Sequence, residues 1–95
     1  MFIGRFNVYP QPRQDIDLPA GSQILSVTLN KIEGHMVSIP QLIVCGNEKA
    51  KLEPRTILVY QEGIQIPNDE YPFMEYIGCV ENQPYGVFYY FERTK

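Results

Sequence analysis

The sequence predicts an all-β fold: six or seven short antiparallel strands in a small barrel or two-sheet sandwich, with little or no helix. Three observations predict it. Ile and Val number seventeen against eight for Ala and Leu together, and seven Tyr and five Phe add side chains that suit a pleated surface. No window shows a clean apolar stripe at i, i+3, i+4 and i+7. Eight prolines and seven glycines punctuate the chain at short intervals, as turns between short strands require.

The elements follow in order. Phe2, Gly4, Phe6 and Val8 alternate with Ile3, Arg5, Asn7 and Tyr9, which predicts a half-buried strand. Pro10 and Pro12 stop it, because neither can donate to a ladder. A short extended piece covers Gln14 to Leu18. A turn follows at Leu18-Pro19-Ala20-Gly21, with Pro where φ must be fixed and Gly soon after. Residues 23 to 30 alternate most cleanly: Leu25, Val27 and Leu29 are expected in the core, and Ser26, Thr28 and Asn30 face away. Glu33-Gly34 reads as a hairpin tip. Met36 to Cys45 is a second long strand, with Pro40 marking a bulge or an edge. Gly46 to Pro54 is polar and is expected as an exposed loop. Arg55 to Glu62 is a strand with Ile57 and Val59 on one face and Leu58 and Tyr60 on the other. Gly63 to Pro72 is a long loop, Tyr76 to Val80 a short strand and Asn82-Gln83-Pro84 a turn. Val87 to Phe91 is unbroken apolar and aromatic sequence, expected as a central strand covered on both faces. Consecutive strands with short links should pair antiparallel.

The 95 residues make one domain, 1–95, with room for a single modest core. The net charge is −3 and the pI near 5.0, which disfavours general grip on phosphate backbones. No apolar run of membrane-spanning length occurs, and the first residues lack the basic-then-apolar order of a signal peptide. Cys45 and Cys79 have no C-x-x-C neighbour and are expected as reduced, buried thiols.

Chemical constellations are sparse. A single histidine, His35, sits at the expected hairpin tip, where an exposed turn residue is the expectation. Ser22, Ser26 and Ser38 lie in no nucleophile-elbow setting, and no phosphate-cradling glycine motif occurs. Asp15 and Asp17 share one face of an extended segment; charges there discourage edge-to-edge pairing more often than they bind a cation. No catalytic residue, metal ligand or cofactor is expected.

One feature stands out. Between Thr56 and Glu92 there is no Lys or Arg, while Glu62, Asp69, Glu70, Glu75, Glu81 and Glu92 all fall there. So do six of the seven tyrosines: Tyr60, Tyr71, Tyr76, Tyr85, Tyr89 and Tyr90. Tyrosine offers broad contact area with a polar tip, and surrounding carboxylates would steer a basic partner. The expected partner-binding residues are Glu62, Asp69, Glu70, Tyr71, Glu75, Glu81 and Tyr85.

The order of motifs resembles a family of short phage and prophage proteins of unknown function. The residues are Tyr9-Pro10, Asp17-Leu18-Pro19-Ala20-Gly21, Ile24-Leu25-Ser26-Val27, Arg55-Thr56-Ile57, Gly63 with Ile66-Pro67, Tyr76-Ile77-Gly78 and Val87-Phe88-Tyr89-Tyr90-Phe91-Glu92. The family's Trp-containing run after the first hairpin is absent, Tyr89 stands where a histidine is common, and the loop reads Glu62-Gly63-Ile64-Gln65-Ile66-Pro67. The resemblance implies a phage accessory protein of the bacterial cytoplasm and names no reaction.

Three functions remain open. The first is a non-enzymatic module that docks on a host protein with a basic surface, as an inhibitor or modulator of a nucleic-acid-handling or defence protein. A second is a structural or assembly protein working as a homo-oligomer through a strand edge or an aromatic patch. A third is a homo-oligomeric small-molecule binder that sequesters a nucleotide signal, which requires folding or oligomerisation to gather Arg5, Arg13 and Arg55 around phosphate.

Overall fold

The structure, a computed structural model, describes residues 1–31, 38–82 and 85–94. The expected tip at Glu33-Gly34, with His35, lies outside the described residues, as do Gln83 and Pro84. Seven strands run in chain order: β1 (Phe2–Asn7), β2 (Arg13–Pro19), β3 (Gln23–Lys31), β4 (Ser38–Gly46), β5 (Leu52–Gln61), β6 (Met74–Asn82) and β7 (Gly86–Arg93). A single 3-10 turn at Tyr71–Phe73 is the only helical geometry among the described residues. No helix among them is long and apolar enough to cross a membrane.

All pairings are antiparallel, in a three-stranded sheet β1-β4-β3 and a four-stranded sheet β2-β5-β7-β6. The sheets do not close into a barrel. They pack as a sandwich, because one core draws on both: Val8, Leu42 and Val44 meet Leu18, Ile57, Val59, Val80 and Tyr90. Burial of that apolar area is the main force holding the layers together. The two sheets come closest where β3 meets β6; a Cβ on Gly78 would lie 3.1 Å from Val27 Cγ1.

Three short links behave differently from the expected hairpins. β1–β2, β2–β3 and β4–β5 each carry the chain from one sheet to the other, and only β3–β4 and β6–β7 pair with their neighbours in sequence. Pro10 and Pro12 favour the first crossing, since neither offers an N–H for an adjacent strand. Pro12 still accepts from the Val59 N–H at 3.0 Å, so the link is pinned where β2 begins. The second crossing is a tight turn one residue later than expected. Ser22 N–H donates to Pro19 O at 3.1 Å, and Gly21 takes φ +77°, the left-handed geometry that turn position demands.

Two bulges decide which side chains are inside. In β3, Ile24 pairs with Val44 and Ser26 with Ile43, so Leu25 is an extra residue. The phase of the alternation shifts there: Ile24, Val27 and Leu29 pack against the core, while Leu25 is 44% exposed. The expected inward placement of Leu25 is thereby corrected. In β6 the shift falls between Tyr76 and Gly78, which makes Ile77 the extra residue. Pro40 marks neither a bulge nor an edge strand. It sits in β4, the middle strand, where its carbonyl accepts from Val8 N–H just beyond the end of β1. The expected loop Gly46 to Pro54 is also shorter: β4 reaches Gly46, β5 starts at Leu52, and Pro54 pairs with Asp17 of the edge strand β2. The short strand at Tyr76 extends to nine residues, Met74–Asn82.

β7 occupies the expected central position, between β5 and β6. Because β5 and β6 both run antiparallel to it, they are parallel to each other, and segment 62–73 must travel back along the sheet to join them. This crossover runs over the outer face, as its contacts show below. On that face the Tyr60 and Tyr76 rings pack on Phe91, and Leu58 and Phe91, which point away from the sandwich core, are only 3% and 8% exposed.

Candidate functional site

The outer face of the four-stranded sheet, together with the 62–73 crossover, carries most of the acidic and aromatic residues of the 56–92 region. Strand alternation places Tyr60 beside Leu58 on β5, and Tyr89 beside Phe91 on β7, all opposite in phase to core residues Val59 and Tyr90. β6 adds Tyr76, Cys79 and Glu81, in register with Phe91, Tyr89 and Val87. The Phe91 ring is the hub: Tyr60 meets it edge-on, with centroids 6.0 Å apart at 77°, and Tyr76 is tilted against it at 5.4 Å and 58°.

Carboxylates tie the crossover to this face. Tyr60 OH donates to Glu70 Oε2 at 2.8 Å, and Arg93 Nη1 lies 3.7 Å from Glu70 Oε1. Tyr89 OH donates to Glu62 Oε1 at 2.8 Å. Burial, then the bond to Glu70, pushes the Tyr60 hydroxyl up to about 12. The Glu62 bond holds the Tyr89 hydroxyl above its ordinary range, and a hydrogen bond with Cys79 does the same for Tyr76. Part of the acidic, tyrosine-rich character thus serves the fold, since phenols donate to Glu62 and, beside Arg93, to Glu70.

The expected partner-binding residues divide. Glu62, Glu70 and Glu81 lie on this face, and Asp69 and Tyr71 on the crossover above it; Tyr71 is 64% exposed and Tyr76, which the sequence reading omitted from the site, 58%. Glu75 points the other way. It pairs in register with Glu92, on the side where Glu92 binds Arg55. Tyr85, 68% exposed, lies past the end of β6 and lines a cleft described below. The sequence signal for Tyr76 was its place among the six tyrosines between Thr56 and Glu92, but only the pairing with Phe91 and the bulge at Ile77 fix its side.

Folding of one chain does not gather the three arginines of the nucleotide-binding reading. Arg5 is exposed on β1, out of phase with Phe6, which packs on the core, so it lies on the outer face of the three-stranded sheet. Arg13 is exposed on β2, on the outer face of the other sheet. Arg55 is interior: it forms a bidentate ion pair with Glu92 and donates from Nη1 to Ser22 O at 2.9 Å. The Glu92 bond holds its guanidinium above the ordinary arginine range. Its charge is already neutralised within the chain.

Asp15 accepts from Thr56 Oγ1 at 2.8 Å, and with Asp17 it lies exposed on the edge strand β2. Cys45 and Cys79 are free, but not buried as expected: they lie on the outward faces of different sheets, Cys45 half-buried and Cys79 exposed. Among the described residues no group of three or more His, Cys, Asp or Glu is placed to hold a metal ion.

One feature went unseen in the sequence. At the end of the sandwich where β1 and β6 finish, an apolar cleft of about 430 Å³ opens between Tyr9, Pro10, Ile39, Pro40, Tyr85 and Phe88, with Asn7, Ser38 and Asn82 at its polar positions. Its volume suits a small molecule or an apolar side chain, and among the described residues no Lys or Arg lines it. Comparison with known protein families, with curated proteins and with solved structures gives no match.

Proposed function

We propose that this chain is a non-catalytic docking protein whose contact surface is the outer face of the four-stranded sheet together with the 62–73 crossover. The observation that carries the reading is the juxtaposition there of exposed Tyr71 and Tyr76 with Glu62, Asp69 and Glu81. Tyrosines of this kind supply contact area at low entropic cost, and rim carboxylates speed encounter with a basic protein and set its orientation. The resemblance to short phage proteins supports a phage accessory role and a bacterial host protein as the partner, in the host cytoplasm. Inhibition or modulation of a nucleic-acid-handling or defence protein is the form this role would take.

The test is affinity capture from bacterial lysate with the tagged chain and with a Tyr71→Ala, Tyr76→Ala, Glu81→Lys variant. A single dominant protein, released at high salt and lost with the variant, is expected. Equal capture by both forms would sink the docking surface. The apolar cleft favours a second reading, a binder of small apolar molecules. Its composition supports that class rather than a nucleotide, because phosphate recognition needs converging donors or cations.

A further inference from the structure

We propose that the chain self-associates through the free edge of β1, as a two-fold antiparallel pair centred on Gly4 that joins two three-stranded sheets into one continuous sheet. The inference does not rest on the docking surface above, which lies on the other sheet.

The edge is defined by backbone geometry. Val8 N–H donates to Pro40 O in the direction of β4. Backbone groups alternate sides along a strand, so those of Phe2, Gly4 and Phe6 face β4, while the N–H and C=O of Ile3, Arg5 and Asn7 point outward. No strand pairs with them among the described residues.

The other three edges are guarded. β2 runs between Pro12 and Pro19 and carries Arg13, Asp15 and Asp17 on its exposed face. β3 has the Leu25 bulge and lies against β6. β6 has the Ile77 bulge and exposed Glu75 and Glu81. β1 has no bulge and no proline within it, one charge at Arg5, and Ile3 67% exposed. Such an edge is a template for another strand.

The sequence of β1 selects the occupant. Phe2-Ile3-Gly4-Arg5-Phe6 places Phe symmetrically about Gly4, and a two-fold contact requires a surface complementary to itself. Centred on Gly4, the pair sets Phe2 opposite the partner subunit's Phe6, an aromatic cross-strand contact that extends the sheet's inner face. Ile3 then falls opposite the partner subunit's Arg5, and the two exchange backbone hydrogen bonds. No like charges face each other, whereas centring on Arg5 would oppose two arginines. The central position is a non-hydrogen-bonded pair, where side chains crowd most. Glycine suits it, because the Phe2 ring already occupies that space: a Cβ on Gly4 would come within 2.7 Å of Phe2 Cε2.

The test is sedimentation equilibrium on the full chain from ~1 μM to ~1 mM, the span of weak to moderate affinities. The mass should rise from 11.0 kDa toward twice that value. Arg5→Pro removes an outward N–H without touching the β4 ladder, and should hold the mass at 11.0 kDa with circular dichroism and Tm unchanged. Ile3→Lys, at an exposed side chain, should act in the same direction and decides the matter if the proline variant does not fold. A wild-type monomer across the whole range overturns the proposal, as does undiminished association in folded variants. The Tyr71, Tyr76 and Glu81 variant should associate like wild type, so the two proposals fail separately.

Discussion

The two outer faces of the sandwich started from the same strand grammar and ended differently. On the three-stranded sheet the outward residues stand open: Ile3 is 67% exposed and Leu25 44%. On the four-stranded sheet the outward Leu58 and Phe91 are 3% and 8% exposed, as buried as the core itself. The cause is topological. β3 and β4 form a hairpin, and β1 joins the same sheet at its edge, so nothing needs to cross that face. β5 and β6 run parallel with β7 between them, so segment 62–73 has to return over the sheet. That return is tied to the sheet where Glu70 and Glu62 accept from Tyr60 and Tyr89, and the Tyr60 and Tyr76 rings cover Phe91.

The contrast is testable by substitution. Leu42→Ala, at a fully buried core position shared by both layers, should cost about 2–5 kcal/mol in chemical denaturation. Phe91→Ala should cost a comparable ~3–5 kcal/mol despite facing outward, because the Tyr60 and Tyr76 rings pack on it. A loss under ~1 kcal/mol would show that aromatic packing to be loose.

Arg55→Ala comes next. It leaves Glu92, whose side chain is 14% exposed, without its ion-pair partner and frees Ser22 O, so a loss of about 3 kcal/mol is expected in urea unfolding. The Arg13→Ala substitution, on an exposed position of the same sheet, should stay within ~0.5 kcal/mol.

The latch on the crossover is weaker. Tyr60→Phe removes the bond to Glu70 and should cost about 1 kcal/mol, with faster hydrogen exchange in segment 62–73 as the local readout. Tyr60 also carries a pH prediction, as does Tyr90, whose burial pushes its hydroxyl up to about 12. Both values lie above the ordinary tyrosine range near ~10. The folded chain therefore holds these protons where the unfolded chain has released them, and stability falls as pH rises from about 10 to about 12. Thermal melts across that interval should show the fall, and Tyr60→Phe should make it shallower.

The smallest effect separates the two phases of β3. Leu25→Ala should change stability by less than ~0.5 kcal/mol, while Val27→Ala should cost about 1–3 kcal/mol. Equal losses at both positions would return Leu25 to the core and remove the bulge.

The sequence alone determined the class, the strands and their punctuation. β-branched and aromatic residues with frequent Pro and Gly leave a chain of this length little besides short strands, because local sterics already exclude helix. Alternation separated the two faces of β1 and β5, and the unbroken apolar run identified the central strand. The crowding of acids and tyrosines between Thr56 and Glu92 was equally plain. Tertiary structure decided the rest. A bulge adds one residue without changing the apolar pattern, so the phase of Leu25 and the side taken by Tyr76 depend on the pairing partner. Which short links reverse within a sheet and which cross between sheets depends on how two layers cover each other, a requirement no local window contains. The same requirement sent Arg55 inward to Glu92 and left Arg5 and Arg13 outside, and it split the acidic residues between a face that binds its own crossover and a rim left open to solvent.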